Sequence, residues 1–151
     1  MRHFIFNLLD GDTERARSLL RAGRWIIDGQ ERHRDALASG DLALVFVAHT
    51  REFVGRAQVI TRFLDPMPAG TARPGPATSG VMLAGVEHWT IGVPLHLAVQ
   101  RIDPNGSNPY VQANAAGFPR GVMQITVKEY ETVVSLHDSA RDVEAARRPR
   151  D

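Results

Sequence analysis

The sequence predicts an α+β domain in which five to six short strands form a small mixed or antiparallel barrel, flanked by two to three helices. Three observations carry this. Short apolar runs bounded by Gly, Pro, Asp and Asn dominate the middle of the chain. Two other segments combine helical spacing of apolar residues with capping residues in the right places. At 151 residues the chain is long enough for one domain to bury its core without disulfide or metal support.

The elements follow in order. His3 to Leu8, with apolar Phe4, Ile5, Phe6 and Leu8, is a first strand, and Asp10-Gly11-Asp12 turns the chain. Asp12 or Thr13 caps a helix over Glu14 to Ala22 whose apolar face is Ala16, Leu19 and Leu20, and Gly23 stands where a left-handed C-cap belongs. Trp25 then sits at a turn, ahead of a short basic helix over Arg32 to Ala38. Leu42 to Ala48 and Phe53 to Thr61 are strands joined by a hairpin turn at His49-Thr50-Arg51-Glu52, with Gly55 marking a bulge.

Leu64 to Gly80, with four prolines, is an irregular loop. Val81 to Val86 and Val93 to Ile102 read as further strands, Ser107 to Gly121 as a second irregular stretch, and Val122 to Ile125 as the last strand. Thr126-Val127-Lys128-Glu129 is a capping box; it opens a helix with Val127, Tyr130, Val133, Val134 and His137 on one face. The domain is expected to span 1–137, followed by a charged, disordered tail over 138–151.

Composition narrows the chemistry. The chain has no cysteine, which excludes disulfides, thiolate nucleophiles and cysteine-based zinc sites and points to a reducing compartment. The N-terminal run is too short and too soon acidic for a signal peptide, and no stretch is apolar enough for a membrane span. The expectation is a cytoplasmic protein with no membrane partner. Seventeen of the 18 basic residues are arginine, yet the net charge is only +1, so any nucleic-acid binding must be local rather than a general coating of phosphate.

Six scattered histidines, His3, His33, His49, His88, His96 and His137, show no zinc-ligand spacing, so no metal is expected. Neither a phosphate-cradling glycine loop nor a Gly-x-Ser-x-Gly elbow is present, and no cofactor is expected. Asp28 with Glu31, and Asp35 with Asp41, are explained by turn and cap roles. His33 could act as a general base with Arg32 or Arg34 steadying a phosphate, or the same three residues form a solvated helix face. Trp25 beside exposed Arg and His suits a nucleobase pocket, because any base stacks on an indole; composition alone favours a buried core.

Taken together, the ordered segments resemble the EVE domain of the PUA-like superfamily, which also holds the YTH and ASCH domains. The resemblance covers residues 3 to 136. It rests on a first strand ending in polar Asn7, a helix, Trp25-x-x-x-Gly29, a basic helix, Gly40-Asp-Leu-x-Leu-x-Phe-Val47 and Phe53-Val-Gly-x-Ala-x-Val59. Trp89 to Leu95 and the stretch from Phe118-Pro119 to Glu129-Tyr130 complete it. Two segments depart from the family pattern: Asn7-Leu8-Leu9 stands for Ser-Glu-Pro, and Asp28-Gly29-Gln30-Glu31-Arg32 for Gly-Val-Arg-Asn-Tyr.

The resemblance implies a PUA-like pseudo-barrel and a non-catalytic reader that flips a modified base into an aromatic-walled pocket. It implies Trp25 as one wall, with hydrogen-bond partners near Asn7 and Asn114; a second wall is sought among Phe63, Trp89, Tyr110 and Phe118, with Trp89 and Phe118 leading. Arg24, Arg32, His33 and Arg34 are the expected phosphate contacts. The expected partner is nucleic acid carrying methylated or hydroxymethylated cytosine, DNA ahead of RNA, with a nuclease as a further partner. The alternatives are an RNase-like ASCH-type enzyme using His33 or His88, and a protein-interaction accessory domain of a defence or toxin–antitoxin system.

Overall fold

In the computed structural model, which describes residues 1–68, 78–115 and 117–147, the first run forms strand β1 (His3–Leu8) with all six residues buried. A strand buried on both faces needs cover on both faces, and the rest of the fold supplies it. Asp12 caps α1 (Thr13–Ala22) by accepting the Arg15 N–H at 2.9 Å, and Gly23 ends it at φ 66. Next come β2 (Arg24–Ile26), a single 3-10 turn at Arg34–Ala36, β3 (Leu42–Val47), β4 (Glu52–Val59) and β5 (Gly80–Pro94). The chain closes with α2 (Leu95–Ile102), α3 (Pro109–Ala113), β6 (Val122–Ile125) and α4 (Val127–Arg147).

The six strands lie in the order β2-β5-β4-β3-β1-β6 and curl into a half-barrel of α+β class. β1 runs parallel to β3, with Ile5 opposite Leu44, and every other neighbouring pair is antiparallel. A parallel pair cannot be closed by a hairpin, so α1 and β2 are carried by the crossover between β1 and β3. The sheet separates two cores. Phe4, Phe6, Leu8, Trp25, Val45, Val81 and Val122 pack with Ala16 and Leu20 of α1. Ile5, Leu44, Phe46, Phe53, Trp89 and Val93 pack with α2 and α4 through Leu95, Ala98, Tyr130 and Val133.

The hairpin at residues 49–52 and the bulge at Gly55 are both present; a Cβ at Gly55 would come within 2.3 Å of the Glu87 carbonyl oxygen. Four local expectations are corrected. Residues 81–86 and 93–102 are not two strands: β5 is continuous to Pro94, and the stretch after it is helical. Pro94, with φ −62, sits at the N-cap, and Leu95 and Ala98 lie one turn apart on a buried face, so helical spacing outweighs the apolar content.

The basic helix over 32–38 is only the 3-10 turn, because Asp41 accepts the Ala38 N–H at 2.9 Å and Gly40 turns the chain at φ 98. Trp25 is in the middle of β2, opposite Val81, rather than at a turn. The charged stretch from 138 continues α4 to Arg147, with alanines favouring the helix and Arg141 reaching Asp138 at 3.7 Å. The centre of the 64–80 loop and residues 148–151 of the expected tail lie outside the described residues.

Candidate functional site

The five expected pocket residues fall around three separate cavities. Asn7 and Trp25 border the first, a space of about 160 Å³ at the end of β1 that is also lined by Leu9, Arg15, Ile26, Asp28, Glu31 and Gly121. The indole of Trp25 is only 2% exposed and stacks on Phe6, with ring centroids 5.8 Å apart and planes at 14°. Of the two readings the sequence leaves for Trp25, the buried one holds: the ring is not an open platform beside exposed Arg and His. Long-range pairing buries it: β2 pairs with β5, and the Ile27 N–H donates to the Ser79 carbonyl at 2.9 Å. What remains beside the ring is a small, partly open cavity, not a platform.

One side of that cavity is closed by the segment before β6. The Asn7 backbone N–H donates to the Gly121 carbonyl at 2.8 Å, and the Gly121 N–H donates to Glu31 Oε1 at 3.0 Å. A Cβ at Gly121 would lie 2.6 Å from that carboxylate oxygen, so a side chain there would push the Glu31 carboxylate aside. The Asn7 side chain donates through Nδ2 to the Phe118 carbonyl at 3.0 Å, while its buried Oδ1 has no partner among the described residues. Such an orphaned acceptor costs on the order of 1–3 kcal/mol when nothing satisfies it.

Asn114 and Phe118 belong to a second cavity, about 560 Å³, on the other face of the sheet between α2, α3 and the start of α4. Phe118 packs edge-on against Phe46 at 5.0 Å, and Asn114 Nδ2 donates to the Tyr110 carbonyl at 3.2 Å, so neither side chain joins Trp25. Asp103 organises the rim: its carboxylate accepts from Gln112 Nε2 at 2.9 Å and from the backbone N–H groups of Asn108 and Ser107 at 2.9 and 3.1 Å.

The Gln112 amide and those N–H groups favour the charged form and hold the Asp103 pKa below the ordinary aspartate value. A depressed carboxylate pKa stabilises the fold above the unfolded pKa, and that contribution is lost as pH falls through the folded one. The Asp103→Asn variant is therefore expected to be less stable than the parent at pH 7, with the gap closing below about pH 4. Urea midpoints measured across that range check it.

Trp89 lines a third cleft, about 400 Å³, beside α4. It stacks on His137 at 4.1 Å with planes at 10°, its Nε1 is buried without a partner among the described residues, and His137 Nδ1 lies 3.1 Å from Asp138 Oδ1. Trp25 packs on the α1 side of the sheet and Trp89 on the α4 side, so the two indoles do not form a cage.

The four expected phosphate contacts are likewise divided. Arg24 donates to the Pro68 carbonyl and has a buried Nε. Arg34 donates to the Glu31 carbonyl at 2.7 Å and lies 3.9 Å from Asp35. His33 is half-buried, and of the four only Arg32 is exposed. Sequence reasoning missed Arg15, which borders the Trp25 cavity; its place depends on how α1 lies over the end of β1, which periodicity does not report. Of the two candidate acid–base histidines, His88 accepts from Arg17 Nε at 3.3 Å, and burial and that guanidinium lower its pKa. His33 borders none of the three cavities. Among the described residues no group of three His, Asp or Glu could hold a metal, and no helix is long and apolar enough to cross a membrane.

No protein-family model matches the sequence, and no curated protein matches it. Solved structures do resemble it. A protein from Rhodopseudomonas palustris matches with a TM-score of 0.59 at 15% identity, over 92% of this chain and 94% of that one. One from Agrobacterium tumefaciens matches with a TM-score of 0.59 at 16% identity, over 91% and 93%. The YTH domain-containing protein Mmi1, solved in complex with RNA, matches with a TM-score of 0.57 at 12% identity, over 97% and 88%. At such identities the likeness is one of fold: the chain has the PUA-like architecture that YTH domains share.

Proposed function

We propose that the protein is a non-catalytic reader of modified bases, of EVE type, that binds a flipped base in the cavity beside Trp25. The observation that carries this is the cavity itself. At about 160 Å³ it matches the size of space, roughly 150 Å³, in which a protein interior admits a single benzene-sized ring. One of its walls is an indole held in place by Phe6. A pyrimidine fits that volume better than a purine, which agrees with the methylated or hydroxymethylated cytosine that the EVE likeness implies.

Energetics set what the cavity must do. Extruding a base costs a few kcal/mol, and stacking on an aromatic returns about 1–3 kcal/mol, so hydrogen bonds from the cavity must add to stacking before binding results. The unpaired Oδ1 of Asn7, at the same end of the barrel, is an available acceptor. Support for nucleic acid as the partner comes from Mmi1, a YTH protein of this fold solved with RNA. DNA carrying modified cytosine is the proposed ligand, and RNA, with which Mmi1 was solved, is the second reading.

Labelled DNA and RNA oligonucleotides with methyl-, hydroxymethyl- or unmodified cytosine, titrated by fluorescence anisotropy, test this. One methyl in a fitted slot is worth about 1–3 kcal/mol, so the modified strand should bind at least about 10-fold more tightly. Equal affinity for all strands, or none for any, rejects the reader. Cleavage of the strand without added metal, lost in His33→Ala or His88→Ala, would favour the RNase-like alternative.

A further inference from the structure

We infer that Arg15, Arg32 and Arg120 form a phosphate-contacting frame around the mouth of the Trp25 cavity, holding a nucleic-acid strand by the phosphates that flank the inserted base. This rests on the reader proposed above and replaces Arg24 and Arg34 as backbone contacts. Position is the first argument. Arg15 borders the cavity directly, Arg32 follows Glu31, and Arg120 precedes Gly121, the two cavity-lining residues joined by a 3.0 Å hydrogen bond.

Availability is the second. All three are exposed, and among the described residues none of their guanidinium groups makes an ion pair or hydrogen bond. Five other arginines are engaged, Arg17 with Glu14, Arg56 with Glu87, Arg141 with Asp138, Arg34 with the Glu31 carbonyl and Arg24 with the Pro68 carbonyl, and those left without a side-chain partner among the described residues, such as Arg101, do not border this cavity. A guanidinium with its donor fork unused is the group that binds phosphate oxygens in pairs.

Chemistry at the mouth is the third. Leu9 and Ile26, 54% and 40% exposed, line the same cavity and form an apolar rim inside the cationic frame. The two acids there are turned to backbone donors: Asp28 accepts the Gln30 N–H at 2.7 Å and Glu31 accepts the Gly121 N–H. An apolar rim within a ring of cations suits a base with phosphates on either side, rather than a uniformly anionic ligand. It also explains how a chain of net charge +1 can bind a polyanion, through a local frame and not a general basic surface.

The test is the salt dependence of binding. Each phosphate neutralised on a single strand contributes about 0.7 to the slope of log K against log salt, so three contacts predict a slope near 2. Arg15→Gln, Arg32→Gln and Arg120→Gln should each lower the slope by about 0.7 while leaving the ratio of modified to unmodified affinity unchanged. Arg101→Gln, on α2 and beside a different groove, should leave the slope alone. DNA and RNA strands run in parallel report which backbone is held. Binding that persists with slopes unaffected in all three variants overturns the frame but not the reader. A parent protein that binds neither strand overturns both.

Discussion

The Gly80→Ala variant is expected to lose a large part of the stability of the fold. A Cβ at this position would stand 1.9 Å from the Trp25 carbonyl oxygen, and the residue holds φ +155, a conformation that side chains avoid. The backbone cannot slide away. Gly80 is opposite Ile26 across the β2–β5 pair, and on its other side it exchanges hydrogen bonds of 2.8 and 2.9 Å with Leu64. Strain of about 1–3 kcal/mol and overpacking of about 1–3 kcal/mol together reach roughly 2–6 kcal/mol, a large part of the 5–15 kcal/mol that a domain possesses. Gly85→Ala is the control. Gly85 has φ 56 but open space around it, so only the left-handed backbone cost of about 1–2 kcal/mol should appear. Urea unfolding of the two variants separates steric collision from backbone strain.

Trp25→Ala is the second large effect, and it carries structure and function together. Removing a buried indole from the Phe6 stack should cost about 3–5 kcal/mol, since the surrounding β-sheet cannot collapse into the space. Trp25→Phe keeps a ring against Phe6 and should remain folded. On the present account this milder variant retains stability to within about 1.5 kcal/mol but binds the modified strand more weakly, because the wall that faces the base is smaller. Denaturation and anisotropy on the same preparation distinguish a lost wall from a lost fold.

Parts of this architecture were legible in the sequence because their causes are local. Asp12 and Gly23 bracket α1, Thr126 and Glu129 start α4, and the apolar runs of β1, β3 and β4 are short and well punctuated. β2 was not legible, since three residues directly after a left-handed glycine carry no periodicity and their partner, Val81, is remote in the chain. The same remote pairing decides that Trp25 is a wall and not a platform. The apolar run that makes β1 readable does not say which face each irregular segment covers. That Phe118 and Asn114 line a different cavity from Asn7 and Trp25, and that Arg15 borders the latter through the docking of α1, is therefore visible only in the fold.

The proposal that a base enters the cavity beside Trp25 is tested most directly by the emission of that residue alone. The chain has two tryptophans, so Trp89→Phe leaves Trp25 as the only indole and preserves an aromatic ring against His137. Adding an oligonucleotide with methylcytosine should quench the Trp25 emission saturably, at lower concentration than the unmodified strand. Emission that stays constant while the strand binds, or that responds equally to both strands, would contradict the account.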